Sequence, residues 1–227
     1  MKVMFELEGG YQPYAEEIPK ARRAPSARDA IRISPVGTPR LNSTEGGIMH
    51  ARLAEAMDYV EEKRKELLQS FAGVPADRLA RKPSDGAWSV AEILDHLGIV
   101  ESGVARLIAK RAGKAREAGL GEEKSTESVL ASFDQQRAKL ETMKMQSPTT
   151  VEPRTNADLT EALEGLKSSR ESLRTAALAA NGLALSEIKH THPFLGELDL
   201  YQWLIFIGQH EARHRKQIER TLNSIPK

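Results

Sequence analysis

The 227-residue chain contains no cysteine, which excludes disulfides, a thiol nucleophile of its own and any thiolate-ligated metal or iron–sulfur centre. A reducing, cytoplasmic setting is the expectation that fits this absence. Aromatic residues are scarce, at 5%, while alanine and leucine are plentiful, a composition that leans toward helix. No charge of one sign dominates either. Lys and Arg number 33 against 32 Asp and Glu, a net charge of +1, so bulk charge gives no reason to expect nucleic acid or an anionic membrane as partner. Long apolar runs are missing. The longest, Trp203–Gly208, falls far short of the roughly 20 residues a membrane helix needs. The opening stretch MKVMFELEGGYQPYAEE has no continuous apolar core and carries acids early, so no secretory leader is expected. What is present, 40% hydrophobic and 29% charged residues, is ordinary for a folded, soluble chain.

Residues 1–48 differ from the rest. They hold Pro13, Pro19, Pro25, Pro35 and Pro39, and Lys20 to Arg40 carries six basic residues against one acid, Asp29. Val3–Leu7 and Ile31–Ile33 alternate like short edge strands, and proline breaks any long helix. The segment reads as an irregular extension that packs on its own bundle or on a partner. A basic arm for anionic ligands is the weaker reading, because Glu6, Glu8, Glu16 and Glu17 lie close by.

From Met49 the apolar period becomes helical. Leu53, Met57, Val60, Leu67 and Phe71 predict a first helix of about twenty residues. Gly73–Gly86, with two prolines, predicts a loop. A second helix starts at Ser89 and passes Ile108, with Ile93, Leu97, Val100, Val104 and Leu107 inward. An extra, shorter helix is expected within 125–145, around Val129, Phe133 and Leu140, followed by a break from Ser147 to Pro153. Leu159, Leu163, Leu166, Leu173 and Ala177 form the third long stripe, ending at Asn181-Gly182. After a loop around His192-Pro193 and Gly196, Asp199 caps a last helix to about Leu222. Four long helices over 49–227 make an all-α, four-helix bundle.

Six histidines are present, and two stand out. His210 and His214 lie four apart on the most apolar helix, on one stripe with Leu200, Trp203, Ile207, Gln217 and Ile218. Such a pair brings its Cβ atoms to roughly 5–6 Å, close enough to share a metal. Two ionisable rings on a buried stripe are costly unless they have a task, which favours ligands over a solvent-facing basic stripe. A third ligand is needed, and His96, beside the inward residues of the second helix, is the candidate.

His210-Glu211-Ala212-Arg213-His214 also matches HExxH, in which the glutamate serves zinc peptidases as general base. Those enzymes take their third ligand downstream. Here Glu219 is the sole carboxylate after His214, and the peptidase reading fails. Glu211 sits about 100° round the helix from His210 and about 60° from His214. Two roles therefore stand side by side for it: a catalytic contact to a metal-bound water, or an exposed salt bridge to Arg215. Glu92, four residues before His96, is explained by a capping box with Ser89, with Trp88 and Ile93 as the hydrophobic staple.

The stretch Trp88-Ser89-Val90-Ala91-Glu92-Ile93-Leu94-Asp95-His96-Leu97 resembles the W-S-x-x-E-[IV]-x-x-H-L helix start of the DinB/YfiT-like superfamily. His192-Pro193-Phe194-Leu195-Gly196-Glu197-Leu198 resembles its H-P-x-x-G-x-[LM] loop. His210-Glu211-x-x-His214-x-x-Gln217-Ile218 resembles its closing H-[DE]-x-x-H-x-x-Q-I. The resemblance covers about residues 49–227 and implies an up-down-down-up bundle, a divalent-metal triad of His96, His210 and His214, and a homodimer. Members include thiol-cofactor-dependent transferases and isomerases, presumed hydrolases and proteins of no known activity. Residues 1–48 and the insertion around 121–150 fall outside the pattern. The leading functional expectation is a metal-dependent enzyme acting on a small molecule, a hydrolase or a transferase using a low-molecular-weight thiol. Three histidines leave Zn²⁺, or Ni²⁺ or Fe²⁺, with open positions. The alternative is a non-catalytic, stress-associated bundle that binds metal or ligand.

Overall fold

The computed structural model describes residues 49–142 and 149–226. The extension expected over 1–48, with its short strands, lies outside the described residues. Four long helices carry the fold: α1 (Ala51–Gln69), α3 (Val90–Glu117), α5 (Leu159–Ala179) and α6 (Leu200–Ser224). Between them come α2 (Ala76–Ala80), α4 (Asp134–Thr142) and an antiparallel hairpin of β1 (Lys189–His192) and β2 (Gly196–Asp199). Among the described residues no helix is long and apolar enough to cross a membrane.

Cross-helix contacts fix the topology. Arg52 lies 4.7 Å over the Tyr201 ring and Arg64 meets Glu211, so α1 and α6 run parallel. Glu101 meets Arg170, and Arg116 donates to the Ala179 carbonyl, so α3 and α5 are parallel as well. Arg64 reaches the Leu166 carbonyl while Arg170 reaches that of Val60, which sets the two pairs antiparallel. The order is up-down-down-up, as expected. Approach between α1 and α6 depends on Gly208, where an added Cβ would lie 2.7 Å from Tyr59 Cε1.

Local signals set the helix ends. Ser89 Oγ accepts the Glu92 N–H at 3.2 Å, and Glu92 Oε2 accepts the Ser89 N–H at 2.9 Å, the reciprocal box read from the sequence. Asp199 and Gln202 form a second such box at the start of α6. Each side-chain cap is worth about 1 kcal/mol.

Three expectations need correction. The loop over 73–86 contains α2, which buries Leu79, while the Arg78 guanidinium bonds the Leu222 and Ile225 carbonyls that end α6. The extra helix begins as a 3-10 turn over Leu130–Phe133 before α4. The loop around His192 and Gly196 is a hairpin; its strands have four residues each, too short for periodicity to reveal. Its turn is stabilised by His192 Nδ1, which accepts the Phe194 and Leu195 N–H groups at 3.2 and 3.3 Å, and by Gly196 at φ 82°. On α3, Val100 and Leu107 are half-buried and pack against the core, as expected, and their neighbours Glu101 and Ile108 are fully buried.

The interior is two hydrophobic clusters with a polar layer between. One gathers Leu53, Met57, Val60, Val104, Ile108, Leu173, Leu204 and Ile207. The other gathers Leu67, Phe71, Ile93, Leu97, Leu166 and Ile218. Along each long helix the switch falls at the same level: Arg64 on α1, Glu101 on α3, Ser169 and Arg170 on α5, and His210, Glu211 and His214 on α6.

Candidate metal centre

His96 on α3 and His210 and His214 on α6 come together as the sequence predicts. Their relative exposures are 2%, 8% and 7%, so all three rings are effectively out of water. His210 Nε2 lies 3.2 Å from His96 Nε2 and 3.1 Å from His214 Nε2, and the three ligand atoms lie within 4.8 Å of one another. Ligand nitrogens around one tetrahedral ion at 2.0–2.1 Å would be about 3.3 Å apart, so the spacing fits.

The outer nitrogens decide which ring atoms are bare. His96 Nδ1 is 2.6 Å from the Val151 carbonyl, which can only accept, so that nitrogen carries the proton and Nε2 is a lone pair. His214 Nδ1 donates to Gln217 Oε1 at 2.8 Å, with the same consequence. Two lone pairs thus face the single Nε2 of His210, and a neutral His210 could offer one proton between them. A cation satisfies all three, so these residues fit a divalent metal.

Electrostatics agrees. Burial pushes His214 down to about 3, helped by the neighbouring His96 ring. Burial, then His214 and His96, hold His210 well below the ordinary imidazole range, and burial lowers His96 against the upward pull of Val151 and Asp95. Neutral imidazoles are the ligand form.

Aromatic rings wall the site. Trp88 sits 5.1 Å from the His96 ring, and Phe206 stacks on His210 at 5.4 Å and 22°. His192, on the hairpin, packs against Phe206 at 4.6 Å, and burial holds it down to about 4.

Glu211 does not form the exposed salt bridge expected as one of its two roles. It is buried, and Arg215 pairs with Glu219 instead. Glu211 Oε1 accepts from Arg64 Nε and Nη2 at 2.8 and 2.6 Å and from Arg170 Nη2 at 2.8 Å. Glu101 completes the set, accepting from Arg64 at 2.7 Å, Arg170 at 2.6 Å and Ser169 at 2.5 Å. Among the described residues no carboxylate joins the three-histidine cluster. Glu211 points into a cluster of two arginines and two glutamates that ties the four long helices together.

A sequence model of the DinB superfamily matches residues 59–218. The chain belongs to the DinB superfamily. Within it, the uncharacterized protein YuaE of Bacillus subtilis (strain 168) is similar, 30% identical over 173 residues, which is 74% of this chain and 98% of that protein. A solved structure described as TT2238, a four-helix bundle protein, is also similar, with a TM-score of 0.46 and 22% identity over 74% of this chain and 98% of that one. In this DinB-like chain the residues that sequence reasoning missed are Val151, whose carbonyl holds His96, and the charges Arg64, Glu101 and Arg170. The first carries no sequence signal, since a backbone carbonyl belongs to every residue. The charges do carry one, because each falls in phase with its helix's apolar stripe.

Proposed function

We propose that this protein binds one divalent transition metal ion, zinc foremost, through His96, His210 and His214, and acts as a metal-dependent enzyme on a small molecule. The observation that carries this is the convergence of three buried Nε2 atoms, two of them fixed as lone pairs by Val151 and Gln217. When bound, the ion supplies Lewis acidity that lowers the pKa of a water or a small thiol at a remaining position, which supports hydrolysis or thiol transfer. The residues of the chain do the rest. Val151 and Gln217 hold the ring protons at Nδ1, burial keeps the imidazoles neutral, and Trp88 and Phe206 exclude water from two sides. With no cysteine in the chain, any thiol that takes part comes from outside.

The deep burial of the triad favours a second reading, a closed, non-catalytic site. One experiment separates the two. Protein purified without an affinity tag is expected to carry close to one equivalent of metal by elemental analysis, and His96→Ala to lose it with helicity kept. Exchange to Co²⁺ should then give a visible spectrum that shifts when azide or a small thiol is added. A metal-loaded protein whose spectrum ignores both ligands has a closed site, and full metal retention in His96→Ala overturns the triad.

A further inference from the structure

The segment 149–158, between the residues that follow α4 and the start of α5, is a short strap laid on the first turns of α3. Its 3-10 turn, Thr149–Val151, presents the Val151 carbonyl to His96 Nδ1. Three residues later Arg154 grips Asp95, the neighbour of His96. The Arg154 N–H donates to Asp95 Oδ2 at 2.8 Å, and Nη2 and Nε donate to Oδ1 at 2.7 and 3.1 Å. Asn156, in the left-handed region at φ 56°, donates its N–H to Glu92 Oε1 at 2.9 Å. Arg154 Nη1 also reaches Glu161 on α5 at 2.8 Å. The Asp95 side chain is 7% exposed and that of Arg154 55%.

An exposed arginine in an isolated surface pair adds little to a protein. This one differs in what its partner adjoins. Both backbone and side chain of Arg154 converge on one buried carboxylate, so the strap is pinned within three residues of the carbonyl that chooses the His96 tautomer. Release of that pin leaves the Val151 carbonyl free to drift. His96 Nδ1 then loses its acceptor, and the proton can move to Nε2, the nitrogen that faces the other two histidines.

We propose that Arg154 is a positioning residue: by docking the strap on Asp95 it holds the Val151 carbonyl against His96 and keeps His96 Nε2 bare for a metal ion. The metal arm of the test rests on the proposed metal site, whereas the tautomer arm does not.

The experiment uses the full chain as wild type, Arg154→Ala, Arg154→Lys and Asp95→Asn. Long-range ¹H–¹⁵N spectra of the metal-free proteins read the ring nitrogens, and Co²⁺ titration followed in the visible reads affinity. The wild type is expected to show His96 protonated at Nδ1. In Arg154→Ala and Asp95→Asn an Nε2-protonated population should appear, and Co²⁺ affinity should fall about tenfold to a hundredfold, the usual cost of losing an outer partner of a ligating histidine. Arg154→Lys, which keeps the charge but not the two-point contact, should recover part of both. Asp95→Asn serves as the readout if Arg154→Ala does not fold. Wild-type tautomer and wild-type affinity in the folded variants overturn the proposal. A wild type that binds no Co²⁺, yet whose His96 tautomer still responds to Arg154, upholds the positioning role and sinks the metal site instead.

Discussion

Glu211→Ala should destabilise the protein by about 3–5 kcal/mol, the range expected when one partner of a buried ion cluster is removed. Arg64 and Arg170 would each lose an acceptor at 2.6–2.8 Å while remaining buried. Glu101, with the half-buried Glu61 3.3 Å from Arg170, would then face two buried guanidiniums, leaving the polar layer between the two hydrophobic clusters short of a carboxylate. Urea unfolding with a constant m-value gives the number. Glu211→Gln, which keeps an acceptor but not the charge, should lie between the wild type and the alanine variant. A loss below about 1 kcal/mol for alanine, typical of an exposed pair, would mean that the cluster is solvated in solution.

The second large effect is on acid stability of the metal-free protein. His214 is held down to about 3 from 6.5, and His210 and His96 are lowered as well, so the folded state keeps these rings neutral where the unfolded chain protonates them. The unfolded state therefore binds more protons below pH 6.5, and stability must fall as the pH drops through that value. Each ring adds a slope of up to about 1.4 kcal/mol per pH unit. Between pH 6.5 and 5 the lowered histidines, His190 and His192 together with the triad, set the fall. Glu92 and Glu101, whose carboxyls are lowered from 4.5, contribute only further down, while Glu211 and Asp199, whose carboxyls burial raises, work against it. Chelator-treated protein should show the steep fall by chemical unfolding at stepped pH, and His214→Leu should flatten it. A wild-type profile that is flat over that window would show the rings hydrated and protonatable in the fold. Since ligand nitrogens must be deprotonated to hold an ion, metal affinity should decline over the same range.

How much of this could be read beforehand follows from the period of each signal. The long helices were legible because their stripes repeat over 19 to 28 residues, and the capping box at Ser89 and the cap at Asp199 because such signals lie within one turn. The triad was legible for a related reason: His210 and His214 are a local pair, and His96 shares the inward face of α3. The buried partners of Glu211 were missed because a helical wheel gives its angle from its neighbours but not the identity of the helix it faces. Its partners Arg64 and Arg170 lie 147 and 41 residues away. A charge at the apolar phase of α1, α3 and α5 was visible in the sequence, two positive and one negative. Asking what neutralises them would have pointed to Glu211. The strap offered no such handle, since a main-chain acceptor and an irregular turn leave no periodic trace.

The aromatic wall gives the protein an optical gauge of its own. Its two tryptophans both belong to that wall: Trp88 lies 5.1 Å from His96, and Trp203 packs 5.8 Å from Phe206, the ring stacked on His210. All indole emission from the chain therefore arises within one or two rings of the three nitrogens. An ion with unpaired electrons settling among them would quench that light, whereas closed-shell zinc would not. Titrating unlabelled protein with Co²⁺ and with Zn²⁺, and comparing the two fluorescence traces, would report occupancy of the centre without any dye, tag or substrate.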